Sequence, residues 1–235
     1  MKTPNSKKNN EAPILLGIES SGITCATGIS KNSQMLAEIS ANIRNIHSQK
    51  LAPFVNQVLE IANLTAPQID AIVLSAGPGS FTGLRIGYST AKGLAHALGV
   101  PIIEVSTLDV WAFRAGPQSS PVMPVIDAHR GEIFRAVFHW KNNVLEKKME
   151  DALVTPEVLL GKFKDNILLT GTNAEKLLPQ MLEFLPPGSA LIQPSPNSPQ
   201  IWSLLHLGLE KFHRGQFSDV NSCEPQYLRK FKGVS

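Results

Sequence analysis

A buried strand, a glycine-rich turn and the start of a helix follow one another in the middle of the chain, and this junction most constrains the fold. Its sequence reads SAGPGSFTGLRIG, from Ser75 to Gly87. The apolar residues over 71–75 predict a buried strand, which glycine and proline break. The segment 80–98 then has the pattern of a helix that Gly99 ends. Such a junction is typical of α/β folds, in which helices pack on a sheet.

The turn of this junction is also a candidate anion site. Free backbone N–H groups and the positive end of the helix dipole can together bind a phosphate. The sequence lacks the lysine of the GxxxxGK[ST] loop and does not match GxGxxG. The favoured interpretation is therefore a tight turn in which Ser80 caps the helix, with phosphate binding as the alternative.

Small residues recur at every fourth position of the predicted helix. They are Gly83, Gly87, Ala91 and Ala95. A glycine inside a helix costs roughly 1 kcal/mol relative to alanine, so close packing should compensate. The ridge packs either on the protein's own sheet or on a helix of a second chain, and the local pattern favours neither.

The order of predicted elements divides the chain into a leader and two subdomains. Residues 1–13 form a polar leader, and the first half continues as β-β-β-α-β-α-β. We predict an N-terminal subdomain over 14–105, with helices at about 48–64 and 81–98, and a C-terminal subdomain over 106–235. The length of 235 residues, 43% of them apolar, is enough for a sizeable core.

Charge and cysteine content exclude several classes of protein. The formal net charge is only +3, and the basic residues cluster in the leader and at Arg229–Lys232, so we expect RNA contact only with a partner's help. Cys25 and Cys223 have the spacing of neither a disulfide framework nor a zinc site. No apolar run is long enough for a signal segment or a membrane span, so a cytoplasmic protein is expected.

Residues for acid, base or nucleophilic chemistry are sparse. The six histidines form neither HExxH nor HxxxH, and no GxSxG motif is present. Glu19 and Asp127 each end an apolar strand, from which a carboxylate can reach a cleft. Capping of a turn is the favoured role for both.

Four blocks of sequence resemble one known family. In order they are ILLGIESSGITCATGIS, SAGPGSFTGLRIGYSTAKGLAHALGVPIIEVSTLD, DAHRGEIFRAVF and PQYLRK. They resemble the bacterial TsaB (YeaZ) family of the tRNA threonylcarbamoyladenosine machinery. The resemblance implies the ASKHA fold of acetate kinase, hexokinase and actin, an α/β fold with two related subdomains of mixed sheets flanked by helices.

The resemblance also implies a chain without catalysis of its own. The related transferase TsaD carries an HxxxH metal pair at the place where Thr107 and Trp111 stand here, and neither side chain can replace imidazole as a metal ligand. We therefore expect an inactive paralogue with no metal and no cofactor, ATP and metal being held by partner subunits. The candidates for vestigial nucleotide loops are Glu19, Ser20, Ser21, Gly77, Gly79 and Ser80.

The partners that the resemblance implies are TsaD and TsaE. The complex transfers threonylcarbamoyl to the adenosine beside the anticodon of tRNAs that read ANN codons, and tRNA is contacted only through the complex. A homodimer is expected when TsaD is absent. The interface predicted on this basis consists of Gly83, Leu84, Gly87, Ala91 and Ala95. The alternatives are an ASKHA-type ATPase or small-molecule kinase that uses loops 19–22 and 77–80, and a metallopeptidase, which would need bound metal.

Overall fold

The structure is a computed structural model that describes residues 12–192 and 200–229. These residues form two compact units. The first unit comprises 12–106 with 200–225, and the second comprises 107–192 with 226–229. Most of the predicted leader and the lysines that follow Arg229 lie outside the described residues.

Residues 12–106 contribute five strands and two helices. They are β1 (Ile14–Glu19), β2 (Thr24–Lys31), β3 (Gln34–Asn42), α1 (His47–Ile61), β4 (Ala71–Gly77), α2 (Phe81–Leu98) and β5 (Ile102–Ser106). The sheet order is β3-β2-β1-β4-β5, with β1 antiparallel to β2 and parallel to β4. The predicted order β-β-β-α-β-α-β, with its two helices, is therefore confirmed.

Residues 107–192 and 200–229 contribute five more strands and three helices. They are α3 (Thr107–Arg114), β6 (Val122–Asp127), β7 (Ile133–Lys141), β8 (Val144–Val154), β9 (Leu168–Thr170), α4 (Ala174–Leu182), β10 (Ala190–Leu191) and α5 (Gln200–His213). Their sheet has the order β10-β9-β6-β7-β8. Strand β6 is antiparallel to β7 and parallel to β9.

The two sheets share one topology. In each, the first strand pairs with a following antiparallel hairpin on one side and with a later parallel strand on the other. Both sheets are mixed and carry helices, so the predicted α/β fold of two related halves is confirmed. The second sheet shows strict alternation along β7, where Ile133 and Val137 enter one core cluster and Phe134 and Phe138 face the other.

Helix α5 belongs to the first unit, which differs from the predicted assignment of 106–235 to one subdomain. It packs on β1, where a Cβ on Gly17 would lie 2.9 Å from the side chains of Ile201 and Leu205. Gly28 on β2 faces Ile201 at the same distance. These glycines let the helix approach the sheet closely. The apolar stripe of the helix indicates that it packs, but not on which sheet.

Candidate functional site

The loop after β1 is organised by a fully buried carboxylate. Glu19 is 0% exposed and accepts hydrogen bonds from Ser21 through the backbone N–H at 2.7 Å and the hydroxyl at 2.6 Å. The hydroxyl of Ser75, at the end of β4, donates to the other carboxylate oxygen. Three donors therefore compensate for burial of the charge. The predicted turn-capping role of Glu19 is confirmed.

The two glycine-containing loops at the strand ends lie against each other. The N–H of Ser80 donates to the carbonyl of Ser21 at 2.7 Å, and a Cβ on Gly79 would overlap that same carbonyl. The N–H groups of Ser21 and Ser80 are thus occupied by the protein's own oxygens. The structure brings the six predicted loop residues together. In this arrangement the N–H groups of Ser21 and Ser80 are used in hydrogen bonds within the protein.

Ser80 caps α2, as the sequence predicts. Its hydroxyl accepts the N–H of Gly83 at 3.2 Å, and Gly99 ends the helix in the left-handed conformation with φ of 67°. The cap satisfies one of the N–H groups at the start of the helix. The structure therefore shows the capped helix of the favoured interpretation.

The predicted interface residues on α2 face the protein's own core. Gly83, Leu84, Gly87, Ala91 and Ala95 are all buried. A Cβ on Gly83 would collide with the carbonyl of Ser20, and one on Gly87 with the hydroxyl of Ser20. We call Gly83, Gly87, Ala91 and Ala95 the inner ridge. The predicted interface is corrected here, because the ridge is buried within the chain, with Gly83 and Gly87 against Ser20 and with Ala91 and Ala95 in the core cluster of this unit.

A second ridge of mostly small residues lies on the opposite side of α2. Arg85, Ser89, Gly93 and Ala97 recur at every fourth position and are all exposed; we call them the outer ridge. A Cβ on Gly93 would meet no atom within 4 Å, so nothing within the chain requires glycine there. The ring of Phe81, 39% exposed, extends this surface, and the guanidinium of Arg85 lies 3.8 Å from its centroid.

The outer ridge is a feature that the sequence reasoning missed. Its spacing is the same as that of the inner ridge, shifted by two residues. A signal was present within the ridges themselves, since the outer ridge contains the polar residues Arg85 and Ser89 whereas the inner ridge contains only glycine and alanine. A helix interior glycine costs roughly 1 kcal/mol, and at Gly93 no intramolecular contact offsets it.

Helix α3 contains Thr107 and Trp111, the two residues predicted to stand where the related transferase carries its metal pair. Thr107 is 2% exposed, and neither its hydroxyl nor the indole N–H of Trp111 has a hydrogen-bond partner among the described residues. In residues 12–192 and 200–229, no group of three or more His, Cys, Asp or Glu could hold a metal ion. Hydroxyl and indole groups are poor ligands for divalent transition metals.

The second unit repeats the carboxylate turn of the first. Asp127 at the end of β6 accepts the N–H of His129 at 2.7 Å, as Glu19 accepts that of Ser21. The predicted capping role of Asp127 is confirmed. Unlike Glu19, its side chain is 40% exposed and lies 3.5 Å from the imidazole of His129.

A comparison with models of protein families identifies the class to which this fold and these sites belong. Residues 34–194 match the model of a family described as "TsaD: tRNA N6-adenosine threonylcarbamoyltransferase". Because the match covers more than half of the chain, the chain belongs to this family.

Within that family, the relatives and a solved structure agree on one branch. A Bacillus subtilis (strain 168) protein described as "tRNA threonylcarbamoyladenosine biosynthesis protein TsaB" is 29% identical over 218 residues, 92% of this chain and 93% of its own length. The Escherichia coli (strain K12) protein of that description is 27% identical over 92% of this chain and 94% of its own. The structure of YeaZ from Pseudomonas aeruginosa superposes with a TM-score of 0.79 at 26% identity, over 92% of this chain and 100% of its own. The predicted resemblance to TsaB (YeaZ) proteins is confirmed.

None of the helices in residues 12–192 and 200–229 is long and apolar enough to cross a bilayer.

Proposed function

We propose that this chain takes part in the biosynthesis of threonylcarbamoyladenosine in tRNA, as a non-catalytic subunit that binds and activates a TsaD-type transferase. The observation that carries the proposal is the similarity to two TsaB proteins over 92% of the chain. Two observations support a non-catalytic role. The chain belongs to a transferase family, and Thr107 and Trp111 stand at the expected metal-ligand positions. The proposed site of action is the cytoplasm.

The closed strand-end loops support a subunit that does not itself use ATP. A phosphate cradle needs free N–H groups, and those of Ser21 and Ser80 already bind Glu19 and the Ser21 carbonyl. The buried negative charge of Glu19 would also repel a phosphate placed beside it. ATP and metal are therefore assigned to the partner subunits, TsaD and TsaE.

The outer ridge is the surface that we propose for the partner. Small side chains at every fourth position let two helix backbones approach closely, and Gly93 pays a helix-propensity cost that only an external contact would offset. The neighbouring Phe81 offers an exposed aromatic anchor, a residue type enriched at interfaces. In the absence of TsaD, the same surface would pair with a second copy of the chain.

Contact with tRNA is proposed to occur only through the complex. Arg229, from the basic end of the chain, forms an ion pair with Glu132 at 2.7 Å and donates to the carbonyl of Ala128 at 2.8 Å. A guanidinium held by these acceptors supports a structural role for Arg229, which ties the chain end to the β6–β7 turn. The electrostatic grip on tRNA phosphates would then come from the partners.

The proposal is tested in cells depleted of their own TsaB protein. Nucleosides from total tRNA are quantified by mass spectrometry with and without re-expression of this chain. We expect threonylcarbamoyladenosine to fall on depletion and to return on re-expression. A chain that is expressed and folded but leaves the modification absent would contradict the proposed function.

A further inference from the structure

The second unit contains a groove that the proposed function does not use. Its volume is about 620 Å³, within the range of about 300–1,000 Å³ that small-molecule sites occupy. The groove lies beside the residues that precede β6 and β9, at the amino ends of these two parallel strands. The turn of Asp127 is at the opposite, carboxyl end of β6. The groove is therefore separate from the strand-end loops at which ligands of such sheets usually bind.

Part of the groove wall is apolar, although six of the ten residues that line the groove are polar or charged. Val137 on β7 and Met149 on β8 are register partners and line it side by side, and Phe163 lines it from the loop before β9. All three side chains also belong to or pack against the core cluster on that face of the sheet. These wall residues are thereby fixed by packing, which gives a ligand a preformed surface.

The rim carries one cation and one anion. Lys148 and Asp165 both line the groove, and His139 lines it with its Nε2 3.3 Å from the carbonyl of Ser119. The Lys148 ammonium pairs with Glu146 at 2.5 Å, but the two side chains are 50% and 38% exposed, so this pair is weak and exchangeable. Lys148 can therefore turn to a ligand carboxylate at little cost.

We propose that this groove binds a small zwitterion with apolar side chains, the class of dipeptides with both termini free. Lys148 takes the carboxylate, Asp165 takes the ammonium, and the Val137, Met149 and Phe163 walls take the apolar side chains. Charge-assisted hydrogen bonds at two ends fix the orientation, while apolar contact supplies the area of burial. A purely anionic or purely cationic ligand would leave one of the two rim charges facing a like charge.

The test is a titration of the full chain, labelled with nitrogen-15, with leucyl-phenylalanine. Amide resonances are followed by NMR, and the same titration is run with the dipeptide blocked by N-acetylation, by C-terminal amidation, or by both. We expect shifts clustered at the groove and roughly 10-fold weaker binding for each blocked terminus. An absence of shifts, shifts elsewhere, or equal binding of the doubly blocked peptide would overturn the proposal.

Substitutions test whether the two rim charges bind the two termini of the dipeptide. Lys148→Met and Asp165→Asn should each weaken binding roughly 10-fold, whereas Glu146→Gln should tighten it by up to about 5-fold, since it removes a competitor for Lys148. The matched controls are Lys141→Met and Glu150→Gln, exposed charges of the same unit that do not line the groove. Thermal melting verifies that each variant is folded. Unchanged affinity in both rim variants would place the peptide elsewhere and overturn the assignment.

Discussion

The two ridges of α2 have the same four-residue spacing but opposite environments. The inner ridge is buried, with Gly83 and Gly87 directly against Ser20. The outer ridge is exposed, and a Cβ on Gly93 would meet open space. The comparison teaches that small residues at helical spacing predict close approach but not the identity of the neighbour. One ridge shapes the fold, and the other is available to a partner.

The largest effect is expected on the inner ridge. Gly87→Leu would force a branched side chain into the Ser20 hydroxyl and the end of β1, so the free energy of unfolding should fall by about 3 kcal/mol or more. Urea denaturation followed by circular dichroism measures the loss. Gly93→Leu is the matched control and should remain within about 1 kcal/mol of wild type. Equal losses in both variants would abolish the distinction between the ridges.

The Glu19 network that supports the inner ridge gives the next largest effect. Ser75→Ala removes one of three donors from a fully buried carboxylate, and we expect a loss of about 1–3 kcal/mol in the free energy of unfolding. Ser89→Ala, on the exposed outer ridge, should change stability by less than about 0.5 kcal/mol. A neutral Ser75→Ala variant would mean that the loop does not depend on this hydroxyl.

Alanine substitutions should change the stability of the protein in opposite directions on the two ridges. Gly93→Ala should raise the free energy of unfolding by about 0.5–1 kcal/mol, because it removes the entropic cost of a helix interior glycine without any clash. This corresponds to an increase of roughly 1–4 °C in Tm for a chain of this size. Gly87→Ala should lower Tm, since its Cβ meets Ser20. Differential scanning calorimetry measures both changes in Tm. A Gly87→Ala variant that is more stable than wild type would contradict the close packing of Gly87 on Ser20.

At neutral pH the smallest effect comes from Cys25, whose titration beside the same loop changes stability only in alkali. Burial, with a further contribution from the charge of Glu19, raises the pKa of the Cys25 thiol from 9.0 to about 11. The folded state therefore keeps its proton while the unfolded chain loses it, so this contribution to stability is complete below pH 9 and is lost as pH rises towards 11. Cys25→Ala should flatten the decline in the free energy of unfolding across this window. An unchanged slope would show that Cys25 does not titrate abnormally.

The sequence predicts most of the local structure around the site. The end of β4, the Ser80 cap and the Gly99 termination of α2 follow from short-range signals that the structure confirms. The partner of Glu19 could not be predicted in this way, because Ser75 is 56 residues away and hydroxyls carry no directional signal in a sequence. Pairing across that distance is set by the parallel register of β1 and β4.

The sequence did not predict which face of α2 is buried or on which sheet α5 packs. Both ridges of α2 contain small residues at the same spacing, and only the packing of the helix on the sheet decides which ridge is buried. For α5, an apolar stripe shows that the helix packs, while the receiving surface is made by Gly17 and Gly28 in strands far earlier in the chain. Those glycines look like ordinary strand interruptions until the helix is in place.

The most direct test of the central claim is the affinity of this chain for the TsaD-type protein of the same organism, measured by isothermal titration calorimetry. Wild type should bind, and Gly93→Leu should bind about 10- to 100-fold more weakly while melting at or slightly above the wild-type temperature, because overpacking a helix contact costs about 1–3 kcal/mol. Gln180→Leu, at an exposed position of α4, should bind like wild type. Wild-type affinity in a folded Gly93→Leu variant would contradict the account.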